Sequence, residues 1–367
     1  MFTPKALLRC ALPLLLALAG QAAQAHEVTD VLGRHVQVPD HVNRVVLGEG
    51  RLIGALALLD KDAPFARVVG WQNDMRLLDA HTYDVYAAKF PQIKDIPLIG
   101  QASEQSVSAE QILALKPDLA IFSISGHGPT EHSPVADVLA KAGVAVLFVD
   151  FRINPVQGTE TSLTALGQAL GREPQAQAYL DFYQQHIKHI TDVVGDPALA
   201  QRPKVFLELL AGVWQAPGHT TGKSGLGEII QLVGGRNIAA DVVPGALGDV
   251  SVEYALQADP DVYVASGNHQ PGLILGAGVT PQQAEASLHK VLERPEFKPL
   301  RAIQAGNAHG LWHDFYNSPY NLLAIEALAK WVNPQAFKDL DPAATQAQIN
   351  QQFLSIPMQG QYWVDAR

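Results

Sequence analysis

The chain contains a copy of part of itself. Ser108, Glu110, Pro117, Asp118 and Ser123 recur 143 positions later as Ser251, Glu253, Pro260, Asp261 and Ser266. A glycine follows in both copies, Gly126 and Gly267, at a slightly different spacing. In each copy a serine is placed to cap a short helix, and a glutamate falls in its first turn, where the helix dipole favours an anion. Pro-Asp then stops the helix, and a β-rich run follows at 119–122 and 262–265. A recurring helix–stop–strand unit limits the chain to two similar halves, each of which must bury its strands under its own helices.

Two further pairs keep the same order. Residues 44–47 and 204–207 read as buried opening strands, and 144–149 and 308–312 as third strands. Each half is therefore expected to run strand, helix, strand, helix, strand: an α/β sandwich lobe with a mostly parallel sheet. Between the halves, Leu163, Leu166 and Leu170, then Ala176, Leu180, Tyr183, Ile187 and Ile190, recur at helical spacing. Gly171 to Pro174 breaks this pattern, and Pro174 starts a second helix reaching about Val194 that joins the lobes. Asp196-Pro197 and Arg202-Pro203 mark the entry to the second lobe. Asp341-Pro342 caps a last helix running to about Phe353.

A chain of 367 residues is long for one core, which agrees with two lobes. Lys5 and Arg9, the apolar stretch 11–19 and Ala23-Gln24-Ala25 read as a secretory leader cut before His26. Its removal takes the formal net charge from −10 to −12, because both leader charges are basic. An acidic chain of this kind is not expected to bind a nucleic acid. The single cysteine, Cys10, lies in the leader, so neither a disulfide scaffold nor a thiol enzyme is expected. These features suit a soluble protein exported to a bacterial periplasm without an anchor. Gly222-Lys-Ser-Gly225 lacks the spacing of a P-loop, and G-x-S-x-G is absent, so the segment reads as the start of a helix. No enzyme activity is expected.

Several local motifs occur in a telling order: D-x-x-G-R from Asp30, V-P at Val38-Pro39, R-V-V from Arg44, E-x-I-L-A-L-K-P-D from Glu110, G-G-x-N from Gly234, and N-x-L-A-x-E-x-L-A from Asn321. Together they resemble the periplasmic substrate-binding proteins of ABC importers for ferric siderophores, haem and vitamin B12. The resemblance spans nearly the whole mature chain. It implies two α/β lobes joined by one rigid helix, with cargo held between them. The expected division is leader 1–25, N-terminal lobe 26–171, linker helix 172–195 and C-terminal lobe 196–367. It also implies a monomer without a cofactor, delivering an Fe(III) chelate to a dimeric inner-membrane permease. By their place in the repeat, Glu110 and Glu253 resemble the acidic residues that pair with permease arginines. Each glutamate also serves its own helix start, and the two roles are compatible.

The cleft should be lined by loops at the carboxyl ends of the strands. These loops offer Arg51, Trp71, Arg76, His127, Arg152, Trp214, His313, Tyr316 and Tyr320 as ligand-binding candidates. Guanidinium groups suit an anionic chelate, and aromatic rings suit its flat faces. The alternatives are that an arginine makes an ion pair and that a tryptophan packs in a core. His127, His132, His269, His309 and His313 leave open direct binding of Zn, Mn or Ni, although no tight ligand spacing supports it. His313 or Tyr316 is the candidate to complete the shell of a metal held by an open chelator. Haem and cobalamin are the other cargo alternatives.

Overall fold

The computed structural model describes residues 24–196, 202–214 and 216–366. The leader expected at 1–25 falls outside them up to residue 23, as does Pro197 at the entry to the second lobe. The described chain opens with an antiparallel hairpin of β1 (Ala25–Thr29) and β2 (His35–Pro39). Asp30 closes its turn by accepting from the Leu32 and Arg34 amides.

The N-lobe sheet contains β3 (Val45–Leu47), β4 (Val68–Gln72), β5 (Leu98–Gly100), β6 (Leu119–Ser123) and β7 (Ala145–Val149). Their spatial order is β5-β4-β3-β6-β7, and every pair is parallel. The apolar runs LAIFS and AVLFV are buried almost throughout, as strands covered on both faces must be. Val68 to Gln72 is a strand, where the sequence reading has Trp71 in a loop. Pairing with β3 draws this apolar run into the sheet and puts Trp71 in the core.

The C-lobe repeats the parallel centre with β8 (Lys204–Glu208), β12 (Val262–Gly267) and β14 (Ala308–Trp312). Around it lie β9 (His219–Thr221), β10 (Arg236–Asn237), β11 (Leu247–Asp249) and β16 (Trp363–Asp365). The seven strands run β11-β9-β8-β12-β14-β16, with β10 beside β8. Strands β9, β11 and β16 are antiparallel to their neighbours, so this sheet is mixed. A small ladder joins β13 (Gly276–Ala277) to β15 (Gly360–Gln361).

The repeat folds alike in both lobes. The Ser108 side chain accepts from the Gln111 amide to cap the Ala109–Ala114 helix, and Ser251 accepts from Tyr254 to cap Val252–Ala258. Asp118 and Asp261 then reach the adjoining strand. Asp118 accepts from the Asn43 and Arg44 amides, and Asp261 from the Lys204 amide. The repeated order of residues thus encodes one hydrogen-bonded corner, made twice.

The Pro155–Leu170 helix ends at Gly171, whose φ of +62° is the left-handed cap that glycine favours. The linker helix, Glu173–Val194, follows at once. Its buried face carries Tyr179 and Tyr183, whose hydroxyls donate to Pro319 O at 2.6 Å and to Asn321 Oδ1 at 3.0 Å. Asn321 in turn donates to Pro155 O and Thr159 Oγ1. Tyr320 donates to Gly54 O at 2.9 Å, and the Gly225 amide to Ile153 O at 2.9 Å. Lys61 reaches the carbonyls of Gln351 and Gln352 near the end of the last helix, Pro342–Gln352. The two lobes are therefore bound together along the linker.

Candidate functional site

The turn after β3 carries Glu49 and Arg51, and the loop after β7 carries Arg152. Asp150 shapes that second loop: its carboxylate accepts from the amides of Arg152, Ile153 and Asn154 at 2.7–2.9 Å. The loop after β6 is held on two sides. Gln72 donates to His127 O at 2.8 Å, and Glu49 accepts from the His127 amide at 3.2 Å. Gly126 is required in this loop. Its φ is +145°, and a Cβ there would run into Arg152 Nη1 and Glu49 Oε1.

These loops face the C-lobe across a cavity of about 330 Å³. The N-lobe side presents Gly126, His127, Arg152 and Ile153, and the C-lobe side presents Trp214, His219, Thr221, Leu226, His313 and Tyr316. Leu209, Leu210 and Leu247 complete an apolar wall. Trp214 is 46% exposed and meets His219 edge-on, with ring centres 4.4 Å apart. A wider depression of about 940 Å³ is lined by C-lobe residues and Val194 and takes nothing from the N-lobe. Convergence of two lobes on one cavity marks the smaller one as the candidate site.

His313 hydrogen-bonds through Nδ1 to Ser266 Oγ at 3.0 Å, which leaves Nε2 available to a ligand. Ser266 is one of the repeated serines, and its oxygen also accepts from the Leu210 amide. Burial pushes the His313 imidazole down to about 4, against Asp314 and with Arg51 and Arg152 adding to the effect, so the ring is neutral. His127 is also lowered, by burial and by Arg51. A neutral imidazole is the form that binds a metal. Tyr316 lies beside His313 at 4.7 Å between ring centres and under the Arg152 guanidinium at 5.0 Å.

Beneath the cavity lies a buried ion cluster. Arg51 bonds Asp74 through Nε at 3.0 Å, Asp314 through Nη1 at 2.9 Å and Glu49 through Nη2 at 3.4 Å. Arg152 bonds Glu49 at 3.2 Å and Ser125 O. Asn317, with its amide oxygen turned toward both guanidiniums, accepts from Arg152 at 3.1 Å and Arg51 at 3.0 Å. Burial opposes the charge on Arg51, but Asp314, Tyr316, Asp74 and Glu49 more than offset it. Burial raises Asp74 to about 6, even beside Arg51. Glu49 is also opposed by burial but stays below its ordinary range, because Arg152, Arg51 and His127 favour its charge.

Of the nine ligand-binding candidates, the structure brings His127, Arg152, Trp214, His313 and Tyr316 to the cavity wall. Arg51 sits in the ion cluster below and borders a second interlobe cavity of only about 60 Å³. Tyr320 borders the same small cavity, with its hydroxyl bonded to Gly54 O. Trp71 is buried against Phe65, and Arg76 lies over the Tyr83 ring in the N-lobe. Neither lines the cavity. Trp71 is drawn inward by its strand, and Arg76 belongs to the Asp74–Leu78 helix and donates to Ile93 O. His219 is a lining residue that the sequence reading does not contain. It lies on a three-residue strand with no helical or motif signal, and its nearest hint is Trp214, five residues earlier. Of the other histidines, His132 is exposed, His309 stacks on Trp331, and His269 stacks on His81. Among the described residues no group of three or more His, Cys, Asp or Glu side chains is arranged to hold a metal ion.

Glu110 and Glu253 are both exposed in the first turns of their capped helices. No described helix is long and apolar enough to cross a membrane.

Residues 50–311 match the family model described as periplasmic binding protein. The molybdate-binding protein MolA of Haemophilus influenzae is 23% identical over 89% of this chain and 90% of its own length. A vitamin B12-binding protein of Yersinia pestis is 31% identical, over 45% of this chain and 55% of that protein. Among solved structures, the TroA-like periplasmic binding protein FepB from Veillonella parvula superposes with a TM-score of 0.83. It is 23% identical, and the match covers 93% of this chain and 99% of that one. A periplasmic heme binding protein from Pseudomonas aeruginosa gives 0.56 at 23% identity, over 80% and 94% of the two chains. A family match over most of the chain and the two-lobed α/β fold agree: the chain belongs to the periplasmic binding proteins, the solute-binding and non-enzymatic components of ABC transporters.

Proposed function

We propose that the protein captures a ferric siderophore in the interlobe cavity and hands it to an inner-membrane permease. The observation that carries this reading is the wall itself, where Trp214, His219, His313 and Tyr316 face His127 and Arg152 across a two-lobed cleft. Flat aromatic and imidazole faces suit the rim of a chelate. The neutral His313, with Nε2 available, suits a metal whose chelator leaves a position open. A cavity of about 330 Å³ lies within the range of small-molecule sites and is open to solvent, so a chelate can project beyond its mouth. Direct capture of a bare divalent ion has less support, since no three-residue donor group is assembled among the described residues. In this reading the protein works as a periplasmic monomer after loss of its leader, and Glu110 and Glu253 dock the two lobes on the permease.

Trp214 supplies the readout. Titration of the mature protein with ferric chelates, haem, cobalamin and bare Zn, Ni and Mn salts should show saturable quenching by a ferric chelate. The expected affinity is micromolar or tighter, about −8 kcal/mol or better. Trp214→Phe should remove most of the signal. His313→Ala should weaken binding and shift the visible absorption of the bound chelate. Saturation by a bare metal or a macrocycle alone would overturn the reading.

A further inference from the structure

We propose that the cleft selects metal chelates of zero or single positive charge and rejects polyanionic ones. This rests on the chelate reading above and concerns the charge class of the cargo. Arginines in a binding cleft suggest a receptor for anions, but here the geometry removes that option. Arg152 is the single fully charged side chain on the described cavity wall, and its guanidinium is already engaged by Glu49, Ser125 O and Asn317. Arg51 lies deeper and is shared among Asp74, Asp314 and Glu49. Three buried carboxylates thus face two buried guanidiniums, and the cluster's formal balance is one negative charge. The nearby imidazoles do not reverse it. His313 is tied through Nδ1 to Ser266 at 3.0 Å, and His219 bonds Asp249, a further carboxylate, at 2.9 Å.

The rest of the wall gives the same answer. Ile153, Leu209, Leu210 and Leu226 are apolar, and at the rim Leu247 is 58% exposed and Trp214 46% exposed. A polyanion entering this cavity would lose its hydration and meet Arg152 already bonded to Glu49, Ser125 O and Asn317. It would also come near the Glu49 carboxylate, which backs Gly126 of the wall. Like-charge juxtaposition of this kind corresponds to a discrimination of about a hundredfold or more. A neutral chelate loses little hydration and gains the apolar and aromatic wall.

The test holds the metal constant and varies the charge. The intact mature protein is titrated with a neutral ferric tris-hydroxamate, a tris-hydroxamate bearing one free ammonium, a trianionic ferric tris-catecholate and ferric citrate, at low and physiological salt. The hydroxamates should bind on the order of a hundredfold more tightly than the tris-catecholate, with little dependence on salt. Glu49→Gln should narrow that gap by uncovering Arg152. Asp314→Asn, which frees one bond of Arg51, should narrow it independently if the first variant folds poorly. Equal or tighter binding of the tris-catecholate would overturn the charge inference and leave the chelate reading standing. Failure of every ferric chelate, with binding of haem or a bare ion instead, would overturn both.

Discussion

Gly126 shows how closely single residues are fitted at the cleft. It combines a φ of +145° with contact to the Arg152–Glu49 pair, so alanine there is strained and also displaces the pair. Gly126→Ala is expected to cost about 1–3 kcal/mol, read as a lower urea midpoint, and to weaken cargo binding. A wild-type midpoint would mean that the loop relaxes at no cost. His269 offers a second residue-scale prediction. Its ring stacks on His81 of the other lobe at 5.5 Å, with the rings 24° apart. Burial and then His81 lower its pKa below 6.5, against weaker support from Asp314 and the Ala277 backbone. As pH falls below 6.5, the unfolded chain takes up this proton before the folded one does. The group's contribution to stability is therefore lost toward acid. Asp74 and Asp79 act in the opposite direction, because burial lifts both to about 6 and the fold holds their protons more firmly. Only a comparison isolates the histidine. The melting temperature of His269→Asn relative to the wild type should rise as pH drops from 7 to 5. A constant difference would show that the stack does not resist protonation.

Buried polar clusters lock the elements in place. In the C-lobe, Glu208 at the end of β8 is held by Arg294 at 3.0 and 2.5 Å and by the Tyr263 hydroxyl of β12. Removing the cation leaves a buried carboxylate unpaired. Arg294→Ala should therefore cost about 3–5 kcal/mol in chemical denaturation. Arg294→Met combined with Glu208→Leu should recover much of that loss, since both charges are then gone. If the single and double variants were equally unstable, packing rather than charge would be responsible. The linker region depends on Asn321 in a similar way. This one side chain accepts from Tyr183 and donates to Pro155 O and Thr159 Oγ1, so it ties the linker helix, the helix before it and the C-lobe together. Asn321→Ala leaves those partners buried without it, at about 1–3 kcal/mol. Circular dichroism in urea would measure the loss, and no loss would mean that water replaces the amide.

At the scale of the whole molecule, two similar lobes meet along one helix and expose one repeated glutamate each. Glu110→Ala with Glu253→Ala should abolish uptake in cells while leaving cargo affinity intact. A large affinity loss would place these residues in the cleft's architecture instead. The bonds joining the lobes at Ile153, Gly54 and Asn321 also predict that small-angle scattering changes little on cargo binding. Much of this architecture was legible in the sequence because its causes are local. Ser108 and Ser251 cap their helices through amides three residues on, Gly171 ends one helix before the linker begins, and Asp341 caps the last. Trp71 reads as a loop residue in the sequence, because an apolar run beside polar residues looks alike as strand end or loop until its partner β3 is known. His219 carried no signal, because its role comes from Trp214 and from a facing lobe rather than from its neighbours in the chain. Capping, proline stops and apolar periodicity act over a few residues, so the order of residues along the chain is enough to specify two α/β lobes, the helix between them and the repeated acidic corners. The role of the arginines is set instead by contacts made across the fold. Asp74 and Asp314 lie 23 and 263 positions from Arg51, and whether a guanidinium is free for a ligand or already neutralised depends on distances of about 3 Å in space.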